Sequence, residues 1–192
     1  GNDYVIGDKG NDNLVGGTGI KVMVGGRGNE TFTAAWAAAA MVGGSGNDKI
    51  RGGLGNDFIA GGGGSDTLST GATRNVIAFN AGDGSDSVLA SPGANNTLSL
   101  GGGISYQGLS LTKSGNDLVL NTGGSDALTH KSVYASPANP SVGTMHVVEA
   151  ASKKYNPPPP HPLYNPYSDT FHYTPLCPPV NHARPTPARH DA

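Results

Sequence analysis

GGSGNDKIR (Gly43–Arg51), GGLGNDFIA (Gly52–Ala60) and GGGGSDTLS (Gly61–Ser69) are one nine-residue phrase written three times in succession. Each copy has a glycine-rich half ending in Asp48, Asp57 or Asp66, then a short half with Ile50, Ile59 or Leu68 two places later. Extended both ways, the sixth position reads Asp3, Asp12, Lys21, Glu30, Ala39, Asp48, Asp57, Asp66, Asn75. The eighth reads Val5, Leu14, Met23, Phe32, Met41, Ile50, Ile59, Leu68, Ile77, apolar throughout even where the glycines are gone. A single apolar place per short segment is what a β-strand with its middle side chain turned inward requires. The glycine halves read as turns that need positive φ, which other residues reach only at a cost of about 1 kcal/mol or more.

The phrase is a G-G-x-G-x-D-x-U-x nonapeptide, the pattern of a calcium-loaded parallel β-helix. At these residues the chain resembles the RTX, or haemolysin-type calcium-binding, repeat family. The resemblance implies an all-β fold, a parallel β-roll in which two nonapeptides make one coil. Each coil has a strand on each face and a turn at each edge. Turns two repeats apart then stack along one edge at about 4.8 Å. Carboxylates stacked so closely repel unless a cation lies between them, and calcium accepts six to eight hard oxygens in loose geometry.

Sorted by edge, the sixth positions divide into Asp12, Glu30, Asp48, Asp66 on the first and Asp3, Lys21, Ala39, Asp57 on the second. The expectation is a column of several calcium ions on the first edge, held by those four acids and continued by Asp86. Carbonyls of Gly25, Gly43, Gly61 and Gly63 would complete it, with weaker roles for Asp3, Asp57 and Asp83. The second edge should be largely vacant in its middle. Lys21 either places an ammonium where an ion would otherwise sit or points to solvent as a decayed repeat.

The expected organisation is a roll over 1–90, a β-strand cap over 91–135, an amphipathic helix over 136–155 and an extended Pro/His/Tyr-rich tail over 156–192. Ala34–Val42 (AAWAAAAMV) keeps the repeat length and an inward Met41, so it stays in the roll. Trp36 then falls at a turn, either covering the edge of the core or standing out as a contact. LSL and LVL flank Lys113–Asp117 as a β-hairpin signal, and its GND reads as a turn. This hairpin also resembles the segment that closes such rolls, and solenoids need a cap. Asn139-Pro140 offers a helix start, and Val142, Met145, Val148, Ala151 and Tyr155 recur at helical spacing. Pro157–Pro160 reads as polyproline II. His161, His172, His182 and His190 are spaced too irregularly for a zinc motif.

At 192 residues the chain fits one domain, or one with an appendage. Hydrophobic content of 35% is low for a globular core, so ion binding must help to hold the fold. A net charge of -2 without a basic stripe argues against nucleic acid. No apolar run is long enough for a membrane span, and the single Cys177 excludes an internal disulfide. HExxH, GxSxG and GxxxxGK[ST] are all missing, so an enzyme is not expected.

The family resemblance implies a secreted, extracellular bacterial protein, exported unfolded by type I secretion and folding on calcium outside. The proline-rich ending shows no recognisable export signal. Two other functions remain open: a self-assembling filament, matrix or adhesin subunit, and the C-terminal module of an exported hydrolase. The chain opens within a repeat, with neither Met nor signal peptide, and reads as a fragment of something longer.

Overall fold

The computed structural model describes residues 1–71, 73–91 and 94–135, together with the backbone of three later strands. Eleven strands build the coils: β1 Asp3–Lys9, β2 Asn13–Val15, β3 Lys21–Arg27, β4 Thr31–Thr33, β5 Ala39–Ser45, β6 Lys49–Arg51, β7 Phe58–Gly63, β8 Thr67–Thr70, β9 Val76–Asn80, β10 Ser85–Ala90 and β11 Thr97–Gly101. A 3-10 turn at Tyr106–Gly108 leads into β12 Ser110–Ser114, β13 Asp117–Asn121 and β14 Ala127–His130. The last three are β15 Thr144–Val147, β16 His161–Asn165 and β17 Thr170–Thr174.

Odd and even strands of the coils separate into two sheets. The first runs β1-β3-β5-β7-β9-β11-β15, and the second runs β12-β13-β14-β10-β8-β6-β4-β2. All pairs within the coils are parallel, and residues eighteen apart face each other, as in Met23↔Met41 and Phe32↔Ile50. The period of nine is therefore the register itself, two repeats per coil. The sheets differ in one respect from the sequence expectation of short strands on both faces. Strands β1, β3 and β5 run seven residues, because their pairing continues into the glycines, whereas β2, β4 and β6 have three.

The eighth-position residues fill the space between the sheets. Met23, Phe32, Met41, Ile50, Ile59, Leu68 and Ile77 are fully buried, with Leu14 nearly so and Val5 partly. Stacking one such residue per half-coil gives a narrow continuous core, which explains how so glycine-rich a chain makes one. The alanine run keeps its place: Ala34, Ala39 and Met41 are buried, and Trp36 stands out at 71% exposure.

Between β9 and β10 the coil gains two residues. They form the turn at Ala81–Gly82, so β8 and β10 pair at a spacing of twenty, Leu68↔Val88. The expected hairpin is β12–β13, and β14 pairs antiparallel with β13 and parallel with β10, closing the second sheet. His130 thereby takes the place after Val88 in the inward column.

The expected helix is corrected where the structure reaches it. Thr144–Val147 is a strand parallel to β11, with Leu98↔Met145 in register. Backbone pairing at the open edge of the first sheet outweighs the helical spacing of Val142, Met145 and Val148, and the rest of 136–155 lies outside the described residues. Part of the expected extended tail is a two-stranded antiparallel pair, β16 with β17. Pro157–Pro160, Cys177, His182 and His190 lie outside the described residues.

Candidate metal centre

The first edge is where the long strands of one sheet turn into the short strands of the other. Its sixth-position acids all point inward: Glu30, Asp48, Asp66 and Asp86 are buried, and Asp12 is half-buried. Asp48, Asp66 and Asp86 each use one oxygen between coils. The Glu30 N–H donates to Asp48 Oδ1 at 2.7 Å, Asp48 N–H to Asp66 Oδ1 at 2.7 Å, and Asp66 N–H to Asp86 Oδ1 at 2.8 Å.

Five further oxygens of the column have no such partner. Asp12 Oδ2, Glu30 Oε1 and Oε2, Asp48 Oδ2 and Asp66 Oδ2 are buried without a hydrogen bond among the described residues. A buried carboxylate oxygen left unpaired is expensive. Five in one column need a common counter-charge.

Glycines make the space they face. A Cβ built on Gly7 would lie 2.6 Å from Asp12 Oδ2 and 2.8 Å from the Gly25 carbonyl oxygen. One on Gly25 would lie 2.7 Å from Glu30 Oε2 and meet the Gly43 carbonyl, and one on Gly43 would meet Asp48 Oδ2 and the Gly61 carbonyl. Asp12 Oδ2, Glu30 Oε2 and Asp48 Oδ2 therefore each stand near a carbonyl of the next coil. Among the described residues no three His, Cys, Asp or Glu side chains converge as a ready metal cluster. The cradle instead repeats one carboxylate with backbone carbonyls, a donor set of hard oxygens that fits calcium. Gly44 and Gly46 keep the turn open in another way: both have positive φ, and a side chain would strike the carbonyls of Gly26 and Gly28.

Gly63 and Asp83, both among the expected site residues, have other partners. Gly63 gives its carbonyl to the Gly46 N–H at 2.8 Å, away from the unpaired oxygens. Asp83 Oδ2 accepts from the Asn80 N–H at 2.7 Å and closes the inserted turn. The GND of the hairpin is a turn as expected, since Asp117 pairs with Lys131 at 2.8 Å and accepts from the Ser132 N–H.

Crowding and burial shape the acidity of the column. Glu30 is pushed up to about 7, chiefly by burial, then by the adjoining Asp48 carboxyl and the charges of Asp12 and Asp66. Asp86 is pushed up to about 7 and Asp66 to about 6, again chiefly by burial, partly offset by the N–H each accepts.

The second edge is built differently. Asp57 Oδ1 accepts from the Ala39 N–H at 2.8 Å and Oδ2 from the Gly53 N–H at 3.1 Å. Asn75 Oδ1 accepts from the Asp57 N–H at 2.9 Å, and Asn75 Nδ2 donates to Asn96 Oδ1 at 3.0 Å. Lys21 is buried and reaches Asp3 Oδ2 at 2.7 Å, which holds the Asp3 carboxyl below the usual carboxylate range.

A second ladder went unread in the sequence. Asn11 Oδ1 accepts from the Asn29 N–H, Asn29 Oδ1 from the Asn47 N–H and Asn47 Oδ1 from the Ser65 N–H, at 2.7, 2.7 and 2.8 Å. Asparagine thus fastens each coil to the following one, while the adjacent aspartate fastens it to the preceding one. The signal was the Asn before Asp in the repeated GND, which supplies an oxygen where a following N–H lacks a partner.

A parallel roll of nonapeptide coils with one stacked acidic edge defines the class of protein. The RTX calcium-binding nonapeptide repeat matches in four copies, over residues 1–20 and 41–77, and the chain carries repeats of that calcium-binding family. The unmatched interval, 21–40, contains Lys21 and most of the alanine run. Among solved structures, the extracellular lipase LipA from Serratia marcescens is similar over 74% of this chain, at 16% identity and a TM-score of 0.32. This chain spans 40% of the length of that structure. No curated protein matches it. Among the described residues no helix is long and apolar enough to cross a membrane.

Proposed function

We propose that this chain is a non-catalytic module of a secreted bacterial protein that folds on calcium at its first edge. The observation that carries the reading is the column of buried, unpaired oxygens of Asp12, Glu30, Asp48 and Asp66. Bound between coils, calcium would supply the positive charge those oxygens lack. The side chains of Asp12, Glu30, Asp48, Asp66 and Asp86 would hold it, with the carbonyls of Gly25, Gly43 and Gly61. Asp48 and Asp66 meanwhile orient themselves by accepting a neighbouring coil's N–H, so the second oxygen of each stays aimed into the edge.

The coupling of ion to fold follows from linkage. Unfolding separates residues eighteen apart and destroys the cradle, so an ion at 100 times its Kd stabilises the roll by about 2.7 kcal/mol per site. Circular dichroism tests this: chelator should leave the chain largely disordered, and calcium should restore β signal cooperatively. Full β structure in the metal-stripped protein would defeat the proposal. Export and a calcium-rich destination are part of the same reading, because a low-calcium cytosol would keep the chain unfolded for transport.

Association of copies has one observation in its favour. The outer face of the first sheet presents Tyr4, Val22, Ala40, Phe58 and Val76 in one register column and Ile6, Val24, Val42, Ala60 and Ala78 in another. No charged side chain interrupts these columns, so the face is complementary to a second copy of itself. Light scattering of the calcium-loaded protein, with and without Phe58→Lys, tests it. A parent that stays monomeric excludes it.

A further inference from the structure

Lys21 stands at the sixth position of its repeat, where the first edge has only acids, and is 5% exposed. Its stem runs beside Gly16, whose added Cβ would lie 3.4 Å from Lys21 Cγ. That is the position from which Gly7, Gly25 and Gly43 face the carboxylates of the other edge. The ammonium donates to the Thr18 carbonyl at 2.6 Å, to the Gly1 carbonyl, and to Asp3 Oδ2 at 2.7 Å. An ammonium has three donors and no acceptor, so every donor is used. Its partners are two turn carbonyls and one carboxylate drawn from successive coils. The first edge offers a hard cation the same kind of oxygens.

The geometry points to Lys21 as a resident cation that occupies, between the first two coils of the second edge, a place built for a calcium ion. The inference rests on the calcium reading above and adds where calcium does not bind. Further along this edge the need for an ion is removed by other means. Ala39 brings no carboxylate, both Asp57 oxygens accept backbone N–H groups, and Asn75 pairs with Asn96. The second edge is thus fastened by the chain alone, and calcium dependence is confined to the first. Lys21 also selects against the metal: its charge repels a divalent ion from the oxygens it holds.

Native mass spectrometry over a calcium titration can count ions on the parent and on Lys21→Asp, which restores the acid. Lys21→Asp should hold one ion more than the parent. An equal count overturns the inference, whereas a parent that binds no calcium overturns the calcium reading instead. Lys21→Met gives an independent measure if Lys21→Asp does not fold. The Asp3 amide donates to the Ile20 carbonyl across these coils at 3.1 Å. At calcium just saturating the parent, its hydrogen exchange should rise several-fold in Lys21→Met and slow again as calcium is raised further. Exchange unchanged from the parent overturns the inference.

Discussion

Asp48 gives each of its oxygens a different task, and two substitutions separate them. Oδ1 accepts the buried Glu30 N–H at 2.7 Å, and Oδ2 is one of the unpaired oxygens of the edge. Asp48→Asn keeps an oxygen for the N–H but removes the charge. Asp48→Ala removes both. Leaving a buried N–H without a partner costs about 1–3 kcal/mol with or without metal. Losing one ion site costs about 2.7 kcal/mol, but only when calcium stands near 100 times its Kd. Asp48→Asn should therefore lose about 2.7 kcal/mol at high calcium, and Asp48→Ala about 4–6 kcal/mol.

Urea unfolding followed by circular dichroism, at several fixed concentrations of free calcium, reads both terms. Each ion bound only by the folded chain adds about 1.4 kcal/mol per tenfold rise in calcium above its Kd. Both variants should lose at least one such increment from the parent's slope, and the alanine variant should lie below the asparagine variant by a calcium-independent offset. An asparagine variant with the parent's slope would refute the assignment of Asp48 to an ion.

Gly25→Ala should lower calcium affinity tenfold or more in the same titration, because its methyl group would intrude on Glu30 Oε2 and the Gly43 carbonyl; unchanged affinity would count against the cradle. Without metal, Glu30, Asp66 and Asp86 hold protons more tightly in the folded chain than their ordinary values of 4.5, 3.8 and 3.8. Their contribution is present below about 4 and lost as pH rises through about 6 to 7, so chelated protein should gain β signal on going from pH 8 to pH 5.5. His130 acts in the opposite sense. Burial lowers it to about 4, so the stability of keeping it neutral is present above 6.5 and is lost as pH falls toward 4. In urea titrations His130→Phe should flatten that acid loss, and an unchanged pH profile would argue against it.

Much of the roll was legible because its core asks one thing of each repeat. An apolar residue every nine places fixes strand, register and burial together, and it survives at Met41 where the glycines do not. The acidic edge was legible for the same reason, since eighteen residues return the chain to the same corner. What the period could not convey was the competition for each oxygen. Asp57 and Asp66 are alike in sequence, yet Asp57 Oδ2 has the Gly53 N–H and Asp66 Oδ2 has no partner. Gly63 and Gly61 are likewise neighbours in one glycine run, yet the Gly63 carbonyl accepts from the Gly46 N–H and the Gly61 carbonyl faces the Gly43 turn beside Asp48 Oδ2. Beyond the repeats the pattern misled. Met145 fits a helical stripe, but a free strand edge at β11 offered its segment backbone partners that local spacing does not reveal.

The paired reach of Asn and Asp, one forward and one back, has a consequence for how such a chain can change in length. A coil is fastened to both neighbours by adjacent residues, so excising 43–60 would join Val42 to Gly61 with every ladder intact. Excising only 43–51 would carry Asp57 to the corner of Glu30 and send Asp66 to the corner of Ala39. All that follows would change faces, bringing the threonine-bearing β8 beneath the oily β5. Growth and loss in this molecule are thus counted in whole turns of the spiral, and a half turn is a frameshift in space.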